Sequence, residues 1–292
     1  MMTETTQDTL YLIVTCCREP TRFAILQNVV QNFKDQFPDS FQNDLIVFDN
    51  ASNDETCQLL TDTFRNVWRS EQNVGLWNAI YWTLQNYERV LGRTYKFIHI
   101  MESDHCYFHA DGLVDCENVL EQTDYGAIKC HEYSVKNKHL YDKDQQQVGS
   151  HTDCWIRHRN VVTDKPVELI RLMTNSNVYV TNFLVNLHNV LRIDSMKTVF
   201  NALRTAKNFD EQQFQREFHK LHPQILLLDG GVFNMTFGDK HVLKQTMMGS
   251  GNNGEAFSKA GYVETAVRLQ LSDDVKAVKL SEKELHDGCS KG

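Results

Sequence analysis

Some of the side chains in this 292-residue chain have the types and spacing for chemistry. The stretch "IHIMESDHCYF", Ile98 to Phe108, runs as apolar strand formers and then stops abruptly at Glu102, Ser103, Asp104 and His105. Two carboxylates one residue apart in a turn can face one hard cation. Mg²⁺ or Mn²⁺ takes one or two carboxylates and completes its coordination with water and phosphate oxygens. A cation held there would offset the charge that develops on a departing diphosphate. An isolated "ESD" is equally what a helix-capping surface turn looks like. Its place after the fourth strand of an ordered series favours the chemical reading. His105 is either a contact to diphosphate or acceptor, or an ordinary surface histidine.

The second stretch is "VFDNASNDET", Val47 to Thr56. Asp49 at the end of an apolar run can accept hydrogen bonds from a base edge or a ribose. Asn50, Ser52 and Asn53 shape the turn and present a helix N-terminus, whose free N–H groups favour phosphate. Plain helix capping accounts for the same residues, and the two roles are compatible. The third is "NVGLWNA", Asn73 to Ala79, where Gly75 either lets the backbone approach a ligand or starts the next helix.

The elements that must position these groups alternate. "TLYLIVT", "DLIVFD", "NVWRS" and "YKFIHIM" read as short, buried strands. Between them, "RFAILQNVVQNFKDQF" places Phe23, Leu26, Val30, Phe33 and Phe37 on one helical stripe, ended by Pro38 and Asp39. "CQLLTDTF" is a second helix. "GLWNAIYWTLQNYERVL" is a third, with Leu76, Ile80, Leu84, Tyr87 and Leu91 on one side. Such strand–helix repeats predict βαβ units: an α/β fold with a mostly parallel sheet and helices on both faces. Ligands of such sheets bind beyond the carboxyl ends of the strands. Those ends are Thr15 and Cys16, Asp49 and Asn50, Ser70 leading to Asn73, and Glu102 with Asp104. Further on, "YGAIKC" reads as a strand and "VYVTNFLVNLHNVLRI" as a strand followed by a helix or a second strand. "LYDKDQQQVGSHTD" reads as a polar loop. "SMKTVFNAL" and "DEQQFQREFHKLH" read as helices, "TMMGSGNNGEAF" as a flexible loop, and the charged stretch from Ser272 as loosely packed.

Composition is that of a globular protein, 41% apolar and 23% charged. No apolar run approaches the ~20 residues that span a bilayer. The acidic start "MMTETTQDTLYLIV" lacks a small-residue cleavage site and argues against a secretory signal. Cys16, Cys17, Cys57, Cys106, Cys116, Cys130, Cys154 and Cys289 form no CxxC pair, and are read as reduced thiols of a cytoplasmic protein. A net charge of −8 argues mildly against a nucleic-acid partner held by bulk electrostatics. "WIRHRNVVTDK", with Trp155, Arg157 and Arg159, is the local basic stretch that would qualify, against the plainer reading of a solvated loop.

In order and spacing these motifs resemble the inverting glycosyltransferases of family 2, which have the GT-A fold. The family's strand ending in a small polar residue, its "DNxSxDxT" turn, its "NxGxxxA" segment and its acid cluster correspond to "LIVTCCREP", "DNASNDET", "NVGLWNA" and "MESD". The likeness covers roughly the first 110 residues. A fainter one joins "NFDEQQFQREF" to the family's "GFDExFxxxED" helix. The resemblance implies a GT-A, Rossmann-like mixed sheet. Residues 1–110 would form the donor half, 111–240 the acceptor and catalytic half, and 241–292 an extension with a flexible loop.

It further implies that Thr15 and Asp49 contact base or ribose, that Asn50, Asn73 and Gly75 line the donor site, and that Glu102 and Asp104 hold the acid-cluster positions. Asp104 would bind Mn²⁺ or Mg²⁺. Glu102 replaces the family's first Asp and would stand behind the direct ligands. Glu217 falls where the family's "ED" begins and would be the base. Phe218 occupies the second acid's place, which makes Asp210 and Glu211 rivals. For a late histidine ligand the candidates are His219, His222 and His241, with His241, beside Asp239, the first choice.

The implied donor is a nucleotide sugar, a UDP-sugar first. The acceptor would be a saccharide, a protein or a modified nucleic acid, including a hydroxymethylated base in DNA. A membrane partner is not expected. Two rivals stand beside this reading. A nucleotidyltransferase would want a Gly-rich basic loop after the first strand, and "TCCREPTRF" has Arg18 and Arg22 but no glycine. A degenerate nucleotide-binding or interaction domain would show no turnover.

Overall fold

The computed structural model describes residues 8–37, 39–103, 105–107, 111–130, 140–141, 147–149, 159–160, 165–166, 169–171, 178–182, 189–203, 211–228, 232–234, 265–271 and 274–280. The first half follows the alternation of the sequence. Strands β1 (Thr9–Thr15), β2 (Leu45–Asn50), β3 (Asn66–Ser70) and β4 (Phe97–Glu102) are separated by helices α1 (Pro20–Gln36), α2 (Asp54–Thr63) and α3 (Leu76–Leu91). Each helix starts and stops for a local reason. Pro20 suits the first turn of α1 because its fixed φ is helical and its missing N–H needs no partner. Asn53 caps α2 by accepting the Thr56 N–H at 2.9 Å, and Asp54 and Glu55 complement the positive end of the helix dipole. Gly92 ends α3 with a left-handed φ of 70°, its N–H closing onto the Glu88 carbonyl.

After β4 come α4 (Asp111–Glu121), β5 (Ala127–Cys130), β6 (Leu169–Arg171), β7 (Val178–Thr181), β8 (Asn189–Arg192), α5 (Ile193–Leu203), α6 (Glu211–Leu221), β9 (Ile225–Leu228), β10 (Thr265–Leu271) and β11 (Asp274–Leu280). These eleven strands form one sheet in the order β6-β7-β9-β5-β8-β4-β1-β2-β3-β10-β11. β4, β1, β2 and β3 are parallel neighbours, and β9 pairs β5 in parallel. β8 runs antiparallel between β4 and β5. Two cores cover the two faces. Phe33, Leu60 and Leu120 of α1, α2 and α4 pack on Tyr11 and Val47, while Trp82, Phe200 and Phe218 of α3, α5 and α6 pack on Leu12 and Ile100.

The antiparallel strand sets the direction of α6. β8 pairs Asn189 with Ile100 and Arg192 with Phe97, so it descends to the amino end of β4, where α5 begins. A ring nitrogen of His222, just past α6, lies 2.8 Å from the Ser195 hydroxyl in the first turn of α5. The last turn of α6 therefore lies at the amino end of the sheet and its first turn points to the carboxyl end. There Phe214 stacks on Trp77, with centroids 4.5 Å apart, in the first turn of α3.

Three segments differ from, or add to, the sequence reading. The second half of "VYVTNFLVNLHNVLRI", open to a helix or a second strand in the sequence, ends in the strand β8. The polar stretch from Leu140 contains a small ladder, Leu140–Tyr141 against Gln147–Gly149. The charged stretch after Ser272 forms β11, because the preceding β10 pairs with the otherwise open edge of β3 and β11 pairs with β10. The loop "TMMGSGNNGEAF" lies outside the described residues. Among the described residues no helix is long and apolar enough to cross a membrane.

Candidate functional site

The carboxyl ends of β1, β2 and β3 are tied together by side chains. Parallel register sets Thr15, Asp49 and Arg69 side by side on the three strands. Thr15 is 2% exposed and Asp49 is fully buried. Asp49 Oδ1 accepts the Ser52 N–H at 2.9 Å, which shapes the turn after β2. Asp49 Oδ2 accepts no hydrogen bond among the described residues, and Arg69 Nε stands 3.5 Å away from it. Burial pushes the Asp49 carboxyl above the usual carboxylate range, and the Ser52 contact, Arg69 and Arg18 offset that only in part. Arg69 is spread over several partners, donating to the Ser52 carbonyl at 3.1 Å and to Asp54 at 3.3 Å.

Asn50 and Asn73 join the second and third strand ends. Asn50 accepts the Val74 N–H at 2.8 Å and donates to Asn73 Oδ1 at 2.8 Å. Asn73 Oδ1 also accepts the Gly75 N–H at 2.9 Å, and its amide donates to Cys16 Sγ at 3.6 Å. Gly75 has a φ of 80°, a conformation that favours glycine, and it opens α3 without a side-chain cap. The first N–H groups of α3 thus face the carboxyl edge of the sheet. Arg18 donates to the Ala51 carbonyl after β2 at 2.8 Å and Arg22 to the Cys16 carbonyl after β1 at 3.3 Å, so one guanidinium group sits at each of these two strand ends. Ala51 itself has a φ of 63°.

Glu102 is half-buried at the end of β4, one strand from β1 and opposite Val14. Asp104, Asp210 and His241 lie outside the described residues. Glu211 opens α6 at the carboxyl end of the sheet. Glu217 lies six residues further along, and its carboxylate is held by Lys220 at 2.6 Å. That is about 9 Å down the helix axis, toward the amino end. His219 and His222 also lie toward that end, His219 bonded to the His222 carbonyl at 3.2 Å and His222 to Ser195. The structure therefore brings Thr15, Asp49, Asn50, Asn73, Gly75 and Glu102 to one edge, and sets Glu217, His219 and His222 along or below α6. Among the described residues no three His, Cys, Asp or Glu side chains cluster closely enough to hold a metal ion. Glu102 fits as one of the one or two carboxylates that such a cation takes.

Sequence reasoning missed Arg69. An arginine inside the buried strand "NVWRS" was the available signal, since a guanidinium there needs an acid beside it, and parallel register supplies Asp49.

Helices on both faces, a mixed and mostly parallel sheet and a polar edge at the strand carboxyl ends define the GT-A, nucleotide-diphospho-sugar transferase fold. Neither a protein-family model nor a curated protein sequence matches the chain. Among solved structures, S. aureus TarS 1-349 in complex with UDP-GlcNAc is similar at a TM-score of 0.50 and 13% identity, over 81% of this chain and 61% of that one. GalNAc-T7 with UDP, GalNAc and Mn2+ is similar at a TM-score of 0.51 and 10% identity, over 80% of this chain and 44% of that one. The chain spans less than two thirds of the length of either.

Proposed function

We propose that this chain is a metal-dependent glycosyltransferase that moves a sugar from a UDP-sugar to an acceptor hydroxyl with inversion. The observation that carries the donor half is Asp49: a buried carboxylate with one oxygen lacking a hydrogen bond among the described residues, beside the guanidinium of Arg69. An acceptor next to a donor complements a base edge with an N–H next to a carbonyl. Uracil offers that edge at its ring N–H and a flanking carbonyl. TarS and GalNAc-T7 were solved with uridine nucleotides, which favours uracil. Thr15, Asn73 and Gly75 would then line the ribose, and the N–H groups at the start of α3 would face the diphosphate.

A divalent cation, Mn²⁺ or Mg²⁺, would supply charge to the departing diphosphate, with Glu102, Asp104 and His241 as the residues to hold it. The proton of the acceptor hydroxyl must pass to a carboxylate on the side opposite the leaving group. We place that base at the start of α6, on Glu211 or the preceding Asp210, rather than on Glu217. The first turn of α6 meets the first turn of α3 through Phe214 and Trp77, whereas Glu217 is engaged by Lys220 further down. The acceptor class to assay first is a hydroxymethylated base in DNA, with Trp155, Arg157 and Arg159 as its proposed face, followed by soluble saccharides and proteins.

The test is a kinetic split. Glu211→Gln or Asp210→Asn should lower kcat by about 100-fold or more while UDP binding stays near wild type. Glu217→Gln should change kcat only a few-fold. The reverse ranking would return the base to Glu217.

A further inference from the structure

Val74 and Gly75 lead from β3 into α3, and their N–H groups are taken up by side chains. Val74 is 2% exposed, so its N–H needs a partner within the protein. Asn50 Oδ1, at the end of β2, accepts it at 2.8 Å. That contact fixes which way the Asn50 amide faces, because only its oxygen can accept. The Asn50 amide nitrogen then faces the other way, where it donates to Asn73 Oδ1 at 2.8 Å. Asn73 is fixed by the same logic. Its Oδ1 accepts the Gly75 N–H at 2.9 Å, and its amide nitrogen donates to Cys16 Sγ, just beyond β1, at 3.6 Å. Two backbone donors thus set both amides, and one chain of bonds crosses the ends of β2, β3 and β1.

Asn50 is 2% exposed. With its oxygen on Val74 and its nitrogen on Asn73, it is spent on the turn rather than on lining the donor site. Gly75 shows what the turn needs. Its φ of 80° and ψ of 162° lie in a region that only glycine enters readily, and glycine has many other conformations open to it. The bond from its N–H to Asn73 selects this one. From there the Gly75 carbonyl accepts the Ala79 N–H at 3.2 Å and α3 begins. A separate observation ties the turn to a ligand. Asp49, the residue before Asn50, is fully buried, and its Oδ2 accepts no hydrogen bond among the described residues.

We propose that Asn50 is a positioning residue: acting through Val74 and Asn73, it holds the turn before α3 in the one conformation that receives the ribose and diphosphate of the donor, while Asp49 beside it reads the base. The proposal rests on the nucleotide-sugar reading for its consequence in binding. Alternation along β2 separates the two tasks. Asp49 leaves on the face of Val47, toward Ser52 and Arg69. Asn50 leaves on the face of Phe48, the face that α3 covers.

The experiment uses the full chain with Asn50→Asp, Asn50→Ala and Asn73→Ala. Asn50→Ala removes both bonds. Asn50→Asp keeps an acceptor for Val74 but sets an oxygen against Asn73 Oδ1, which turns the Asn73 amide away from Gly75. The first readout needs no ligand: amide hydrogen exchange at Val74 and Gly75. Asn50→Ala should speed both by about tenfold or more and Asn50→Asp should speed Gly75 alone, while Ile80 and Trp82 inside α3 keep wild-type rates. Unchanged rates at Gly75 in both variants, or equal acceleration throughout α3, overturn the proposal. The second readout is calorimetric titration with UDP and CDP. Both Asn50 variants should bind UDP about tenfold more weakly and keep the UDP-to-CDP preference within about twofold of wild type. Asp49→Asn should lose that preference. An Asn50 variant that binds UDP as wild type does, or loses base preference as Asp49→Asn does, overturns the proposal. Losses that add in the Asn50→Ala, Asn73→Ala double variant also overturn it, because residues acting through one chain lose no more together than the larger single loss. A wild-type chain that binds no uridine nucleotide counts against the nucleotide-sugar reading alone, and exchange at Val74 and Gly75 then decides whether Asn50 holds the turn.

Discussion

Asp49 is the most informative residue of the site, because its burial and its function pull in opposite directions. Burial favours the neutral acid, while pairing with Arg69 and the proposed reading of a base N–H need the carboxylate. Asp49→Asn keeps an acceptor for the Ser52 N–H and removes the charge. It should leave the unfolding midpoint within a few degrees and weaken UDP binding by roughly tenfold or more, the size of a lost charge-assisted hydrogen bond, as read by calorimetric titration. The sign with pH follows from the raised carboxyl. As pH falls, Asp49 takes up its proton above the usual carboxylate range, so wild-type affinity for UDP declines while that of Asp49→Asn stays flat. One residue away, Ala51 holds a left-handed φ of 63° that suits glycine better. Ala51→Gly should raise stability by about 0.5–1 kcal/mol, or roughly 1–4 °C in the midpoint. Asp49, Asn50 and Asn73 were legible in the sequence because turn formers directly after apolar strands announce strand ends. Arg69 was not, because its partner is chosen by register between strands and not by any spacing along the chain.

At the scale of elements, the four parallel strands and three helices of the first half follow from periodicity and capping residues alone. The orientation of α6 does not. Its sequence marks an amphipathic helix, but only β8, running antiparallel to β4, shows that its first turn and not its middle meets the strand carboxyl ends. That is why a motif likeness centred on Glu217 and a geometry centred on Glu211 differ. The far end of α6 is clamped by His222, whose ring packs against Gly126 at the start of β5 and bonds Ser195. A methyl group at position 126 would meet that ring well inside contact distance. Gly126→Ala should destabilise by about 1–3 kcal/mol, seen as a lower unfolding midpoint. UDP binding at the opposite edge should be unchanged. β11 was not legible either: the charged stretch from Ser272 read as loosely packed, and its strand form depends on β10 having covered the edge of β3.

For the whole molecule, buried histidines tie stability to pH. His99 lies in the middle of the sheet, fully buried, and burial drives its pKa down to about 3. Burial lowers His219 and His222 as well. The unfolded chain takes up a proton at His99 near pH 6.5 and the folded chain only near pH 3, so this ring removes up to about 1.4 kcal/mol of stability per pH unit between those points, and His219 and His222 act in the same direction. The raised carboxyls of Asp44, Asp49 and Glu117 work the other way, relieving the fold as they protonate. A His99→Gln variant should therefore lose less stability than wild type between pH 7 and pH 5, measured by chemical denaturation at each pH. The central claim, a uridine-diphosphate site at the carboxyl edge of a GT-A sheet, is tested most directly by thermal unfolding with UDP, GDP and CDP, each with Mn²⁺ and with chelator. A ligand at about 100 times its Kd stabilises by about 2.7 kcal/mol, which moves the midpoint by several degrees. The account predicts such a shift for UDP with Mn²⁺, reduced by chelator and by Asp49→Asn. A shift of equal size with CDP, or none with any nucleotide, would contradict it.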